Sequence, residues 1–291
     1  MPNDNNLLTT WNAFKTSNFY DFYSTVNPHY NERNLKKIEN SEFFEEMNNI
    51  FLFLKESWIE KDGTNLYLID YIFDPENYET ETVRNLFEKF LRTKKFSGSK
   101  NFVGINVDSR LNEYLNDLHD IGFEEVIVLS EMELIMKREF DLPKESKFEI
   151  RIPIESELRE VYEIVFKTQI EARIGDMVPT KKDFERFINE EMKDLNLNTF
   201  VWDGDKAIAR ITVERYSNHV EIKELAVLPE YWRQGIATYI TKLTLNKIYK
   251  TGINRIRLYT DNFNRNGAMN LYAKLGFKTL YKSVRIRYKL P

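Results

Sequence analysis

The sequence predicts an α/β protein, more closely an α+β one, made of two copies of a single unit, and three observations predict it. The stretches NVDSRLNEYLNDLHDIGF, ending at Phe123, and YTDNFNRNGAMNLYAKLGF, ending at Phe277, each run from a strand ending in Asp, through an Asn-containing turn, into a short helix closed by Gly-Phe. Their helical faces agree: Leu111, Tyr114, Leu115 and Leu118 in the first, and Ala268, Leu271, Tyr272 and Leu275 in the second, follow the spacing of an amphipathic helix. Gly122 and Gly276 lie 154 residues apart, and the same offset carries Pro229 onto Pro75, each proline standing between an apolar strand and an amphipathic helix.

The elements follow in order. The region up to about residue 50 is helical in pattern and rich in aromatics. LIDYIFDPENYETETVRNLFEKFL then reads as strand, polar turn and helix, with Val83, Leu86, Phe87 and Phe90 on one helical face. The first Gly-Phe helix follows, its glycine suited to the left-handed position that ends a helix. The polar stretch Asp141–Lys147 carries a proline and marks the boundary, giving copies at 1–140 and 148–291. In the second copy FEIRIPI is a strand, and ELREVYEIVFKTQIEA and KKDFERFINEEMKDL are helices. A hairpin turns at Asp203-Gly204-Asp205, and HVEIKELAVLP is the next strand. KSVRIRYK, near the end, alternates basic and apolar residues as a half-exposed strand does.

Composition narrows the function classes. Hydrophobic residues make up 42% and charged residues 30%, the balance of a soluble globular chain. No apolar run approaches the roughly 20 residues of a membrane helix, and MPNDNNLLTT lacks the regions of a secretory signal. With no cysteine there are no disulfides and no thiolate nucleophile or metal ligand, which fits a cytoplasmic protein. The net charge of −4, with Lys and Arg dispersed, argues against a nucleic-acid binder. His29, His119 and His219 lie too far apart for metal-ligand spacing, so no metal is expected.

One stretch carries chemistry. In ELAVLPEYWRQGIATYI a strand stops at Pro229 and restarts as a helix through a polar, small turn. A helix N-terminus has unsatisfied N–H groups and about half a positive charge. Gly235 and Ala237 leave room for a phosphate to reach that backbone, and Arg233 and Gln234 add donors.

This stretch and DNFNRNGAMNLYAKLGF together resemble the GCN-related N-acetyltransferase (GNAT) superfamily over most of residues 148–291. The resemblance implies two tandem domains, each a mixed, mostly antiparallel sheet flanked by helices. It implies acetyl coenzyme A as cosubstrate, its pyrophosphate held by Arg233, Gln234, Gly235, Ile236, Ala237 and Thr238. Trp232 departs from the family pattern, which has Arg or Gln there. Leu225, Ala226 and Val227 would pair with the pantetheine arm, and an amide of Leu225 or Ala226 would polarise the thioester carbonyl. Tyr272 would protonate the departing thiolate, and Asn264, with Asn266 as rival, would contact the cofactor. Glu224 and Glu221 are candidate bases for the amine; a period of two puts them on opposite strand faces unless a bulge intervenes. Glu171 and Asp176, in the loop EARIGDMVP, could favour a cationic acceptor.

The reading is an N-acetyltransferase acting by direct attack on a small-molecule or peptide amine, as a monomer or homodimer. The alternative is a non-catalytic acyl coenzyme A sensor or interaction module. No Ser-His-Asp constellation is visible that would supply an acyl-enzyme. The 154-residue offset puts Glu79, Glu81 and Val83 where Arg233, Gly235 and Ala237 stand, and Leu118 where Tyr272 stands, so the first copy is expected to be silent.

Overall fold

A computed structural model describes residues 4–16, 44–47, 50–59, 64–73, 79–92, 101–143, 147–172, 181–189, 191–262 and 267–290. In chain order its helices are α1 (Asp4–Thr16), α2 (Thr80–Leu91), α3 (Asn112–Ile121), α4 (Leu158–Ala172), α5 (Lys181–Asn189), α6 (Ile236–Lys250) and α7 (Ala268–Lys274). Its strands are β1 (Phe44–Met47), β2 (Ile50–Ile59), β3 (Asn65–Ile72), β4 (Asn101–Asp108), β5 (Glu124–Ile135), β6 (Glu149–Ile150), β7 (Thr199–Asp203), β8 (Lys206–Arg215), β9 (Val220–Val227), β10 (Arg255–Asp261) and β11 (Lys278–Lys289). The 154-residue offset carries β5 onto β11 end to end, and β3, α2, β4 and α3 onto β9, α6, β10 and α7 with small differences at the ends. Gly122 and Gly276 both take positive φ, as their place after a helix requires.

The chain packs as two compact units, Met1–Val128 with Tyr281–Pro291, and Leu129–Leu280. The first unit has strand order β1-β2-β3-β4-β11, the second β5-β10-β9-β8-β7-β6. Within each, one neighbouring pair is parallel, β3 with β4 and β9 with β10, and the other ladders are antiparallel. These are the mixed, mostly antiparallel sheets flanked by helices that the sequence predicts.

Packing units and sequence copies are different partitions of the chain. Each copy lends its last strand: Leu129–Ile135 of β5 pairs with β10, and Ser283–Lys289 of β11 pairs with β4. Apolar residues seat both strands, Met132 and Leu134 in the second unit's core and Val284 and Ile286 in the first's. Charge gives a reason for the exchange. Arg257 of β10 meets Glu133 at 2.9 Å and Glu131 at 3.3 Å, and Arg255 meets Glu133 at 3.4 Å. The offset would put Arg287 in the place of Glu133, opposite Arg257, and like charges directly opposite across strands are destabilising. On β4, by contrast, Arg285 donates to Asn106 at 2.8 Å and Arg287 lies over the Phe102 ring at 4.6 Å.

In the second unit helices cover both faces. Thr199 pairs with Ile211 and is hydrogen-bonded at 2.7 Å to Thr244 of α6. Arg210, one residue along β8, points to the other face, where its guanidinium lies over Phe187 of α5 at 4.6 Å.

Candidate active site

The second unit's sheet opens along β9. The parallel ladder with β10 ends at Ile222↔Leu258. Beyond it β9 stays paired to β8 as far as Val227, and β10 to β5 as far as Asp261. The two strands therefore splay, and among the described residues one side of the backbone from Glu224 to Val227 has no neighbouring strand. Leu225 is half-buried there, and Ala226 and Val227 are buried.

Beyond the splay the chain turns into α6. Gly235 is its N-cap with φ of +81°, and Arg233 has φ of +60°. A non-glycine residue in this region costs roughly 1–2 kcal/mol, and such strain collects at functional turns. A Cβ at Gly235 would meet nothing within 4 Å among the described residues. The first turn of α6 has no acidic residue and Gly235 offers no side-chain cap. The amides of Ile236, Ala237 and Thr238 lack intrahelical acceptors, as first-turn amides do. Arg233 is exposed beside them. Gln234 turns back instead, its amide nitrogen 3.4 Å from the Glu230 carbonyl. Trp232 serves the fold, since its indole N–H donates to the Val227 carbonyl at 2.6 Å, which also accepts from Thr168 Oγ1 at 3.0 Å. The indole ties the turn to the strand end.

The two strand glutamates share a face. Between Ile222↔Val213 and Glu224↔Thr212 the register shifts, with Lys223 as the extra residue of a bulge. The bulge cancels the odd spacing, so Glu221 and Glu224 both lie on the Arg210 face. They differ in surroundings. Glu221 is 5% exposed and takes a salt bridge from Lys223 Nζ at 2.7 Å. Burial raises its pKa, while Lys223 pulls it down. Glu224 is half-buried.

Tyr272, on α7, is 5% exposed and packs edge-on against Phe277 at 5.6 Å. Burial and the nearby Glu224 charge both raise its pKa, so the phenol keeps its proton and stands close to Glu224. The structure thus puts Glu224 at the splay within electrostatic reach of Tyr272, and the same strand leads on to the α6 N-terminus. Asn264, Asn266 and Asp176 lie outside the described residues, as does the side chain of Glu171.

Sequence reasoning passed over Glu131 and Tyr259, paired directly across β5 and β10 next to the splay. Burial raises the Glu131 pKa to about 7 against the pull of Arg257. The available signal was the alternation of Glu131 and Glu133 in a strand, set against Arg255 and Arg257 in another. Among the described residues no group of His, Cys, Asp and Glu could hold a metal ion, and no helix is long and apolar enough to cross a membrane.

The comparisons with known proteins agree with this geometry. Residues 158–277 match the model of the Acetyltransferase (GNAT) family. That match spans 120 of the 291 residues, and over that span the chain is similar to the GNAT family. Its fold is similar to a GCN5-related N-acetyltransferase from Sphaerobacter thermophilus, 15% identical, with TM-score 0.68 over 83% of this chain and 76% of that one. A GCN5-related N-acetyltransferase from Kribbella flavida is 12% identical, with TM-score 0.54 over 87% and 91%. A tandem GNAT protein from the clavulanic acid biosynthesis pathway is 11% identical, with TM-score 0.58 over 83% and 78%. At these identities the likeness is one of fold. No curated protein matches the sequence.

Proposed function

We propose that the chain is a tandem GNAT protein whose C-terminal copy, residues 148–291, transfers an acetyl or similar short acyl group from coenzyme A to an amine by direct attack. The observation that carries this reading is the splay between β9 and β10 leading to an α6 N-terminus that, among the described residues, has no acid in its first turn, no side-chain cap and nothing against Gly235. Arg233, Gly235, Ile236, Ala237 and Thr238 would hold the pyrophosphate, chiefly through backbone N–H groups, with Gln234 turned aside. The free backbone edge of Leu225, Ala226 and Val227 suits an extended amide-bearing arm, and an N–H of Leu225 or Ala226 would polarise the thioester carbonyl. Glu224 and Glu221 supply negative charge to draw and deprotonate an amine, and Tyr272 supplies a proton to the departing sulfur. A small molecule or a peptide amine would serve as acceptor.

The first copy, residues 1–140, keeps the elements without the cradle. Glu79 and Glu81 are exposed at the start of α2, where a phosphate would be repelled. Calorimetry of the full chain with acetyl coenzyme A tests the reading: about one equivalent should bind. A value near two would overturn the silent first copy, and no binding would overturn the whole proposal.

A further inference from the structure

The β10 wall of the splay holds a buried phenol and carboxyl that face each other. Tyr259 and Glu131 are directly opposed across β10 and β5, so their side chains stand side by side on one face. It is the face of Glu221, which pairs with Arg257, two residues before Tyr259. Tyr259 sits one residue past Leu258, the last β10 residue joined to β9, where the splay opens. The Glu131 side chain is 0% exposed, and its Oε1 accepts from Arg257 Nη1 at 3.3 Å. The Tyr259 hydroxyl is hydrogen-bonded to the Glu131 carboxyl, and among the described residues neither it nor Glu131 Oε2 has a further partner. The two groups are close enough to act on each other: the phenol favours the ionised carboxyl, and the carboxylate favours the protonated phenol. With the phenol hydrogen directed to the carboxyl, the phenol oxygen can still accept, so the pair offers a place where an N–H is welcome.

We propose that Tyr259 and Glu131 form a proton relay for the acceptor amine, which passes a proton to the Tyr259 oxygen as the Tyr259 hydroxyl passes its own to Glu131 Oε2. The inference rests on the acyl-transfer reading above. The relay takes the first proton of the ammonium, and the nitrogen then forms its bond to the thioester carbonyl carbon as the carbon–sulfur bond breaks. Glu224 takes the second nitrogen proton, and Tyr272, beside Glu224, gives one to the sulfur and is replenished from it. Glu131 afterwards returns its proton to water, so one proton is released per turnover.

The division of labour follows from the surroundings. Burial and the Glu131 charge keep Tyr259 a neutral phenol, able to pass a proton but not to hold a vacancy. Glu131, raised to about 7, can hold or release one near neutrality, the range in which a general base works best. Arg257 opposes that rise, while Glu221 and Glu133 add to it. Glu221 itself is matched by Lys223, which also meets Glu214 at 3.4 Å. His219 is held neutral, chiefly by burial, at about 4. Glu131 belongs by sequence to the first copy, so the silent copy lends a working residue to the other's site.

The test uses the full chain with Glu131→Gln, Tyr259→Phe and the double variant. Thiol release from acetyl coenzyme A is followed with a mixture of primary alkylamines and lysine-containing peptides. Each single change should lower kcat/KM at about pH 8 by roughly 100-fold, and the double change should cost no more than either. Wild-type kcat/KM should rise through about pH 7, and Glu131→Gln should lose that limb. Acetyl coenzyme A affinity should hold in all three, which separates a lost relay from a lost fold. With glutamate carboxyls labelled with carbon-13, one resonance titrating near pH 7 should vanish in Glu131→Gln and move to higher pH in Tyr259→Phe. A Tyr259→Phe protein with wild-type kcat/KM, or with that titration unmoved, would overturn the relay while leaving acyl transfer standing. A wild-type protein that binds acetyl coenzyme A and releases no thiol would overturn both.

Discussion

The two copies open the same gap in the backbone and treat it in opposite ways. In the first, the parallel β3–β4 ladder ends at Ile69↔Ile105, while β3 runs on with β2 to Ile72 and β4 with β11 to Asp108. Rings occupy this corner. Tyr71 and Tyr114 are 5.4 Å apart, Phe73 stacks on Tyr114 at 5.2 Å, and Phe14 of α1 lies 6.2 Å from Phe73. The 154-residue offset carries Tyr71, Phe73, Phe87 and Tyr114 onto Leu225, Val227, Thr241 and Ala268. Where one copy buries four aromatic side chains, the other has four smaller ones. The helix starts differ in the same sense: α2 has Glu81 in its first turn and α6 has no acid there. A carboxylate at a helix N-terminus is stabilising, so α2 satisfies its dipole from within. The bulge has moved too, from β2, between Leu54 and Glu56, to β9, at Lys223. The comparison teaches that the same order of elements can be kept while the volume of this corner, the charge at the helix start and the strand geometry each differ.

Five substitutions would break or sharpen that contrast. The largest effect is expected from Gly235→Glu, which puts a charge and a side chain where phosphate would lie. Acetyl coenzyme A affinity should fall by at least about 100-fold, near 2.7 kcal/mol, with the circular dichroism of the native chain. The mirror change Glu81→Gly should leave the stoichiometry near one; a second binding equivalent there would show that charge alone silenced the first copy.

A smaller effect is expected from Tyr272→Phe, which keeps the ring on Phe277 and removes the hydroxyl. Turnover should fall by at least roughly tenfold at nearly unchanged cofactor affinity. A core tyrosine without a catalytic role would instead change the melting temperature and spare turnover. Leu118→Tyr, its mirror, should add nothing.

The smallest effect is expected from Leu225→Tyr, which copies the first copy's ring into the second copy's splay. Affinity for acetyl coenzyme A should weaken by roughly tenfold or less, about 1 kcal/mol, because Leu225 is only half-buried and the ring can partly turn to solvent. An affinity equal to the wild type's would mean that the first copy's rings pack a core without blocking a path.

Much of this was legible in the sequence because it rests on local spacing. Periodicity located the helices, glycines at Gly122 and Gly276 ended two of them, and the Gly235 turn stood out by its small residues. Nothing local could reveal what Trp232 does, since its hydrogen-bond acceptor is a strand carbonyl at Val227. The bulge at Lys223 likewise arises from register with β8, and it decides that Glu221 and Glu224 share a face.

By itself the sequence determined the 154-residue offset between matching strand, turn and helix signals and the contrast between a small, acid-free turn and an acidic one, while the region that holds β1 reads in it as helical. Side-chain volume, period and charge are properties of neighbouring residues and need no partner to be read. Only the tertiary structure decided which strand closes which sheet. β5 and β11 have the same length and matching offset, and either could have paired at home. The choice depends on what each meets across a ladder, glutamates against the arginines of β10, and arginines against Asn106 and Phe102 of β4. Cross-strand pairing energies exist only once the strands lie side by side, so the residue Glu131, set in the first copy's sequence, took its place in the second unit by folding alone.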